Sequence, residues 1–161
     1  MKLLNLELQA FGSFKNKESI DFTLFDTNRL FLISGKTGSG KTTIFDAISY
    51  ALFGKLTGQF KSDDMLRSHY ATDNDETYVK LKFKEQNKEY LIYRRPTYKL
   101  TTKKEIKSSI TLTNVTEDKV LSTKTTDANK QIEDILKFSH EQFKQIVVLP
   151  QGEFIKILNS N

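Results

Sequence analysis

Residues 30–54 read LFLISGKTGSGKTTIFDAISYALFG, and the pattern changes twice along the stretch. Leu30, Phe31, Leu32 and Ile33 form a short continuous apolar run, as expected of a strand covered on both faces. Gly35, Gly38 and Gly40 follow, closed by Lys41. Three of the chain's seven glycines fall here, so they are not turn filler scattered along the sequence. After Lys41, Ile44, Phe45, Ala47, Ile48, Ala51 and Leu52 recur at three- and four-residue spacing, which predicts a helix with a wide apolar face. Gly54 is placed to end it, because glycine tolerates the left-handed backbone of a helix C-terminus.

Gly35-Lys36-Thr37-Gly38-Ser39-Gly40-Lys41-Thr42 fills GxxxxGK[ST] at every fixed position. Each residue type has a physical reason. Glycines permit positive φ and let main-chain N–H groups approach a phosphate with no Cβ in the way. The helix that follows points its positive end and free N–H groups at the same anion. Lys41 supplies a mobile ammonium for the β- and γ-phosphates, and Thr42 a hydroxyl for magnesium, an ion that keeps several waters and needs few protein ligands. Lys36, Thr37 and Ser39 are expected to contribute mainly main-chain N–H groups, and Ser34 is a further candidate for holding the nucleotide. The ligand expected is therefore ATP with Mg2+, on an α/β fold of the P-loop NTPase class with a mixed and antiparallel sheet plus helices.

The rest of the chain reads mostly as strands. Leu4, Leu6 and Leu8 alternate with polar residues and predict a half-buried first strand. A turn at Gly12-Ser13 leads to a second strand carrying Ile20 and Phe22. Residues 58–75 are polar and turn-rich and read as a loop with room for one short helix. Val79, Leu81 and Phe83, a polar turn at residues 85–89, then residues 90–94 predict an antiparallel hairpin. Residues 99–107 read as an exposed lysine-threonine loop, and Ile110 and Leu112 as a strand turned at residues 116–118. Asp127 is expected to cap a helix bearing Ala128, Ile132, Ile135 and Leu136. Ser139 and Gln142 form a capping box for another helix, with Phe138 and Phe143 as its hydrophobic staple.

Holding a nucleotide is not cleaving it. Phosphoryl transfer needs a carboxylate to organise magnesium and a group to orient water, and in P-loop ATPases the carboxylate ends an apolar strand. Residues 30–33 lead into the glycine loop, residues 146–149 into Pro150-Gln151, Asp75-Glu76 follows a polar run, and Glu133-Asp134 lies on a predicted helix. None qualifies, so the chain reads as part of an ATPase. Gln151, between Pro150 and Gly152, can offer its amide oxygen to a metal and its nitrogen to a water or γ-phosphate.

Taken together, LQAFGSF with IDF, ISGKTGSGKTTIFDAISYALFG, DMLRS with YVKLKF and YLIYRR, and EQFKQIVVLPQGEF resemble the N-terminal ATPase half of the bacterial SbcC family, ABC- and SMC-like subunits of a DNA nuclease. The resemblance covers nearly the whole chain. It implies that residues 1–161 are the N-terminal lobe of an ABC/SMC-type head, ending where a long coiled coil with a zinc-hook apex begins. The C-terminal lobe would carry the signature motif, the Walker B acid and the catalytic Glu. It implies that Gly35, Gly38, Gly40, Lys41, Thr42 and Thr43 hold phosphate and magnesium, with Lys41 and Gln151 serving catalysis and Thr42 and Gln151 the metal. The partners implied are the C-terminal lobe, a second head clamped by ATP, an SbcD-like nuclease subunit, and DNA, in breaking and repairing DNA ends and hairpins. Related DNA-repair ATPases often carry a basic residue where this chain has Gly12, which leaves the nucleotide-base contact open beside Ser13. The alternative is the equivalent lobe of a RecN- or RecF-type repair ATPase without a nuclease partner. A complete small P-loop kinase is disfavoured, since neither an arginine lid nor a strand-ending carboxylate is visible.

Charge says less. Lys plus Arg number 25 against 20 Asp plus Glu, a net charge of +5 that favours polyanionic partners only mildly. Lys99, Lys103, Lys104 and Lys107 beside Tyr98 can follow a phosphate backbone, although a solvated loop is the first reading. Lys80, Lys82 and Lys84 share one strand face. Arg67 is expected in a structural salt bridge, and His69 and His140 at the surface. No cysteine is present, so neither disulfides nor thiolate metal sites arise. No signal-peptide core or membrane-length apolar stretch is seen, and the expectation is a soluble cytoplasmic protein with no membrane partner.

Overall fold

The computed structural model describes residues 1–25, 33–57 and 66–147. Strands β1 (Lys2–Gln9), β2 (Glu18–Asp21), β3 (Tyr78–Glu85), β4 (Lys88–Arg95), β7 (Ser109–Asn114) and β8 (Lys119–Ser122) form one sheet in the order β2-β1-β3-β4-β7-β8. Strands β5 (Tyr98–Lys99) and β6 (Glu105–Ile106) form a small separate hairpin. Helices α1 (Lys41–Phe53) and α2 (Thr125–Leu136) cover one face, α1 over β3 and β4 and α2 over β7 and β8, and α3 (His140–Val147) follows. Every strand pair among the described residues is antiparallel. The buried strand expected at residues 30–33, and any mixed sheet it would build, lies outside the described residues except for Ile33.

The alternation in the sequence becomes two dissimilar faces. Register stacks Leu6, Leu81, Ile92 and Leu112 across four strands, and all four are fully buried beneath the helices. The next row is Leu8, Val79, Arg94 and Ile110, in which one charged side chain takes a core position. The opposite face is charged and internally paired. Glu7 meets Lys17 at 3.0 Å, Lys80 at 3.5 Å and the Tyr78 hydroxyl at 2.7 Å, while Lys82 meets Glu89 at 2.8 Å. Two of the three lysines that alternate along β3 are thus matched to carboxylates.

That pairing has a pH signature. Burial pushes the Glu7 carboxyl up, but the Tyr78 hydroxyl and the two lysines together outweigh it and hold the group below the usual carboxylate range. A depressed folded-state value contributes stability that is present above the unfolded value and lost as pH falls through the folded one. Glu7→Gln should therefore cost about 0.5–1 kcal/mol near pH 7, with the difference from the parent shrinking as pH falls through the carboxylate range. Urea unfolding midpoints from neutral to acid pH measure it. A difference that does not change with pH would rule out the ionic contribution.

Several local expectations hold. The hairpin of β3 and β4, the first strand and the turn at residues 116–118 are all formed. Gly54 ends α1 with φ 66° and its N–H on the Tyr50 carbonyl. Ser139 N–H donates to Gln142 Oε1 at 2.8 Å and Gln142 N–H to Ser139 Oγ at 3.4 Å, completing the capping box of α3. The Phe138 and Phe143 rings stack 6.2 Å apart, and Phe53 from the end of α1 joins them, its ring 5.4 Å from Phe143.

Others are corrected. Phe22 opens a 3-10 turn (Phe22–Phe25) and is not part of β2. α2 begins at Thr125, so Asp127 sits inside the first turn; there its charge complements the helix dipole without capping the end. Residues 99–107 are not an open loop, because β5 and β6 pair and Asp73 takes both the Thr101 N–H and hydroxyl. Strand β8 has no counterpart among the strands expected from the sequence. His140 is 8% exposed, packed against the Phe53 ring at 5.5 Å, and is not a surface residue; His69 is exposed. Among the described residues Arg67 has no salt bridge; it donates to the Asp75 and Thr72 carbonyls and the Thr77 hydroxyl, with Tyr98 beneath it at 4.3 Å. No described helix is long and apolar enough to cross a membrane.

Candidate functional site

The glycine loop lies on the surface at the start of α1, with residues 34–39 exposed and Gly40 buried. Gly38 and Gly40 adopt φ 84° and 90°, left-handed values that side-chain-bearing residues avoid. Gly40 is the N-cap of α1; among the described residues no side chain caps the helix, and no carboxylate occurs in its first turn. The first-turn N–H groups therefore face outward with the positive end of the helix dipole, the arrangement that receives an anion.

Lys41 folds across the loop. Its ammonium donates to the Gly35 carbonyl at 2.7 Å, the Lys36 carbonyl at 2.8 Å and Ser39 Oγ at 3.5 Å. Ser39 N–H donates to the Lys36 carbonyl at 3.1 Å, so the loop curls on itself around that ammonium. A Cβ on Gly35 would stand 2.6 Å from Ser39 Oγ, whereas one on Gly38 would meet nothing within 4 Å. The curl is tight at its base and open at its crest. Thr42 is exposed in the first turn of α1, next to Thr43.

A second segment completes the wall. After β1 the chain turns at residues 11–14 and lies against the start of α1. Ser13 Oγ and Thr43 Oγ1 are 3.1 Å apart, and a Cβ on Gly40 would be 2.7 Å from both Ser13 Oγ and Phe14 Cζ. The turn is held from behind, with Gly12 N–H on the Leu66 carbonyl and Ser68 N–H on the Ala10 carbonyl. At Gly12 (φ 56°) a Cβ would approach Thr43 Cγ2 to 2.5 Å. A larger residue there does not fit this packing unless Thr43 moves.

The structure therefore brings together Ser13, Ser34, Gly35, Lys36, Thr37, Gly38, Ser39, Gly40, Lys41, Thr42 and Thr43 at one end of α1. Gln151 lies outside the described residues. Among the described residues no group of three or more His, Asp or Glu side chains is arranged to hold a metal ion. The donors present suit a magnesium ion held through one hydroxyl, phosphate oxygens and water. Phe14 also borders the site, and nothing in the sequence marks it except its nearness to Gly12-Ser13.

A family model described as "AAA domain" matches residues 5–161. The chain is 42% identical over its whole length to the SbcC component of nuclease SbcCD from Staphylococcus aureus strain MRSA252. It is 41% identical to the proteins of the same name in strains JH9 and Newman. In each case it spans 16% of the relative's length.

Proposed function

Because the chain belongs to the AAA domain family, we propose that it is the ATP–Mg2+-binding lobe of an SbcC-like ATPase that governs a nuclease partner. The observation that carries this reading is the Lys41 ammonium set on the Gly35 and Lys36 carbonyls, at the uncapped start of α1. On this reading the N–H groups of residues 35–42 and the Lys41 ammonium hold the β- and γ-phosphates. The Thr42 hydroxyl is a magnesium ligand, and Ser13 lies at the nucleoside side. Gln151 would reach the metal and γ-phosphate; that role rests on the family resemblance. The bound metal supplies charge neutralisation across the phosphates.

Residues 1–161 are then one lobe of an ABC/SMC-type head, and the carboxylates for hydrolysis belong to a second lobe. A second head, an SbcD-like nuclease and DNA are the partners this implies. The name of the relatives favours this reading over a RecN- or RecF-type head.

The experiment is sedimentation of the intact protein with and without nucleotide. ATP with Mg2+ should drive association of heads, and ATP with EDTA should not. Association that ignores both, together with no measurable ATP binding, would overturn the proposal.

A further inference from the structure

The far end of α1 meets a charged side chain in the sheet's core rows. Arg94, on β4, is 4% exposed in a row otherwise made of Leu8, Val79 and Ile110. A buried cation carries a desolvation cost of several kcal/mol unless oxygens surround it. Two helices supply oxygens to it. Nε donates to the Ala51 carbonyl at 3.1 Å, and Nη2 donates to the Leu52 carbonyl at 3.5 Å and to Asn129 Oδ1 at 2.8 Å. The Tyr50 ring lies 5.9 Å away. Ala51 and Leu52 belong to the last turn of α1, whose outward carbonyls form the negative end of the helix.

Much of the buried face of α1 is apolar, including the fully buried Ala47 and Ala51. Apolar burial is non-directional and does not by itself fix where a helix sits along its axis. Directional contacts at the two ends do that. At the N-terminal end Gly40 and Thr43 abut the 11–14 turn, which leaves β1. At the C-terminal end the β4 guanidinium grips two carbonyls, and Gly54 is pressed so close that a Cβ would stand 2.7 Å from Arg94 Nη1. Thirteen residues of helix between these ends make a rod about 20 Å long, stiff enough to carry an axial shift from one end to the other.

We infer that Arg94 is a positioning residue for the phosphate loop: it sets the axial position of α1, and with it the placement of Lys41 and Thr42 against the phosphates. This rests on the nucleotide reading of the loop. A cavity of about 220 Å3 lies beside the guanidinium, bordered by Lys55, Ser108, Ser109 and Thr125, and it gives a small guanidinium compound a way in once the side chain is shortened.

The test is nucleotide affinity in the intact protein, measured with a fluorescent ATP analogue and Mg2+. It is run at a temperature where circular dichroism shows each variant fully folded. A loss of stability alone leaves Kd unchanged there, because the binding-competent fraction stays near one. Arg94→Ala should raise Kd about tenfold and Arg94→Lys by less. Ethylguanidinium at millimolar concentration, entering the space left by the side chain, should restore Arg94→Ala but not Lys41→Ala. Asn129→Ala removes only one of the three bonds named above, and should raise Kd about twofold to threefold even if Arg94→Ala does not fold. A folded Arg94→Ala with parental Kd, or Asn129→Ala with parental Kd, overturns the inference and leaves the loop assignment standing. A parental protein that binds no ATP overturns the loop assignment, and this inference with it.

Discussion

Lys41→Ala should weaken binding of ATP–Mg2+ by at least about 100-fold, since a charge-assisted hydrogen bond to phosphate contributes about 1.5–3 kcal/mol and one ammonium makes more than one. The fold should barely register the change. Lys41 is half-exposed, and its ammonium bonds two main-chain carbonyls and one hydroxyl of the loop itself. Isothermal titration gives the affinity and a thermal melt the stability. A shift in Tm beyond about 4–5 °C would mean a loss on the order of 1 kcal/mol or more, too large for a surface substitution of this kind. Parental affinity in the variant would remove Lys41 from the site and the site from the loop.

Gly40→Ala should cost far more than a single methyl at an open position. The backbone stands at φ 90°, and the added Cβ would meet Phe14 Cζ and Ser13 Oγ at 2.7 Å and Phe14 Cε2 at 2.9 Å. Strain at such a backbone position costs about 1–3 kcal/mol, and forcing the ring aside costs about 1–3 kcal/mol more. Gly38→Ala is the matched control, because it shares the left-handed backbone (φ 84°) but its Cβ would meet nothing within 4 Å. Urea unfolding should show Gly40→Ala losing clearly more stability than Gly38→Ala. Equal losses would mean that the 11–14 turn contributes nothing to holding α1.

The contrast between these two glycines shows where sequence reading stops. The motif fixes glycine at position 40 and leaves position 38 variable, although the backbone is left-handed at both. It does not show that Gly40 also needs to be small because a turn some thirty residues earlier lies on it. The same limit explains Arg94. Alternation along residues 90–95 puts it on the core face with Tyr90 and Ile92, but only the register of β4 against α1 supplies the carbonyls that let a cation reside there. His140 is hidden against the Phe53 ring of α1, which meets it only after folding.

Helix α1 is legible because its apolar period, its glycine N-cap and its glycine stop all agree. Strands β5 and β6 are not, since two residues each are too few to show a period. Strand β8 is hidden for a related reason: Val120 is 57% exposed at the sheet edge, so the strand has no buried face to announce it. The Ser139–Gln142 box is legible because both its partners lie within one helical turn.

The ring cluster that closes over the end of α1 sets an order of events during synthesis. Phe53 leaves the ribosome long before Phe138 and Phe143, the rings that cover it. At about 5–20 residues per second the delay is on the order of 5–20 s. The helix that carries the glycine loop can form early, but through that interval its trailing aromatic end has no lid, and a nascent chain stalled there presents a sticky surface to chaperones.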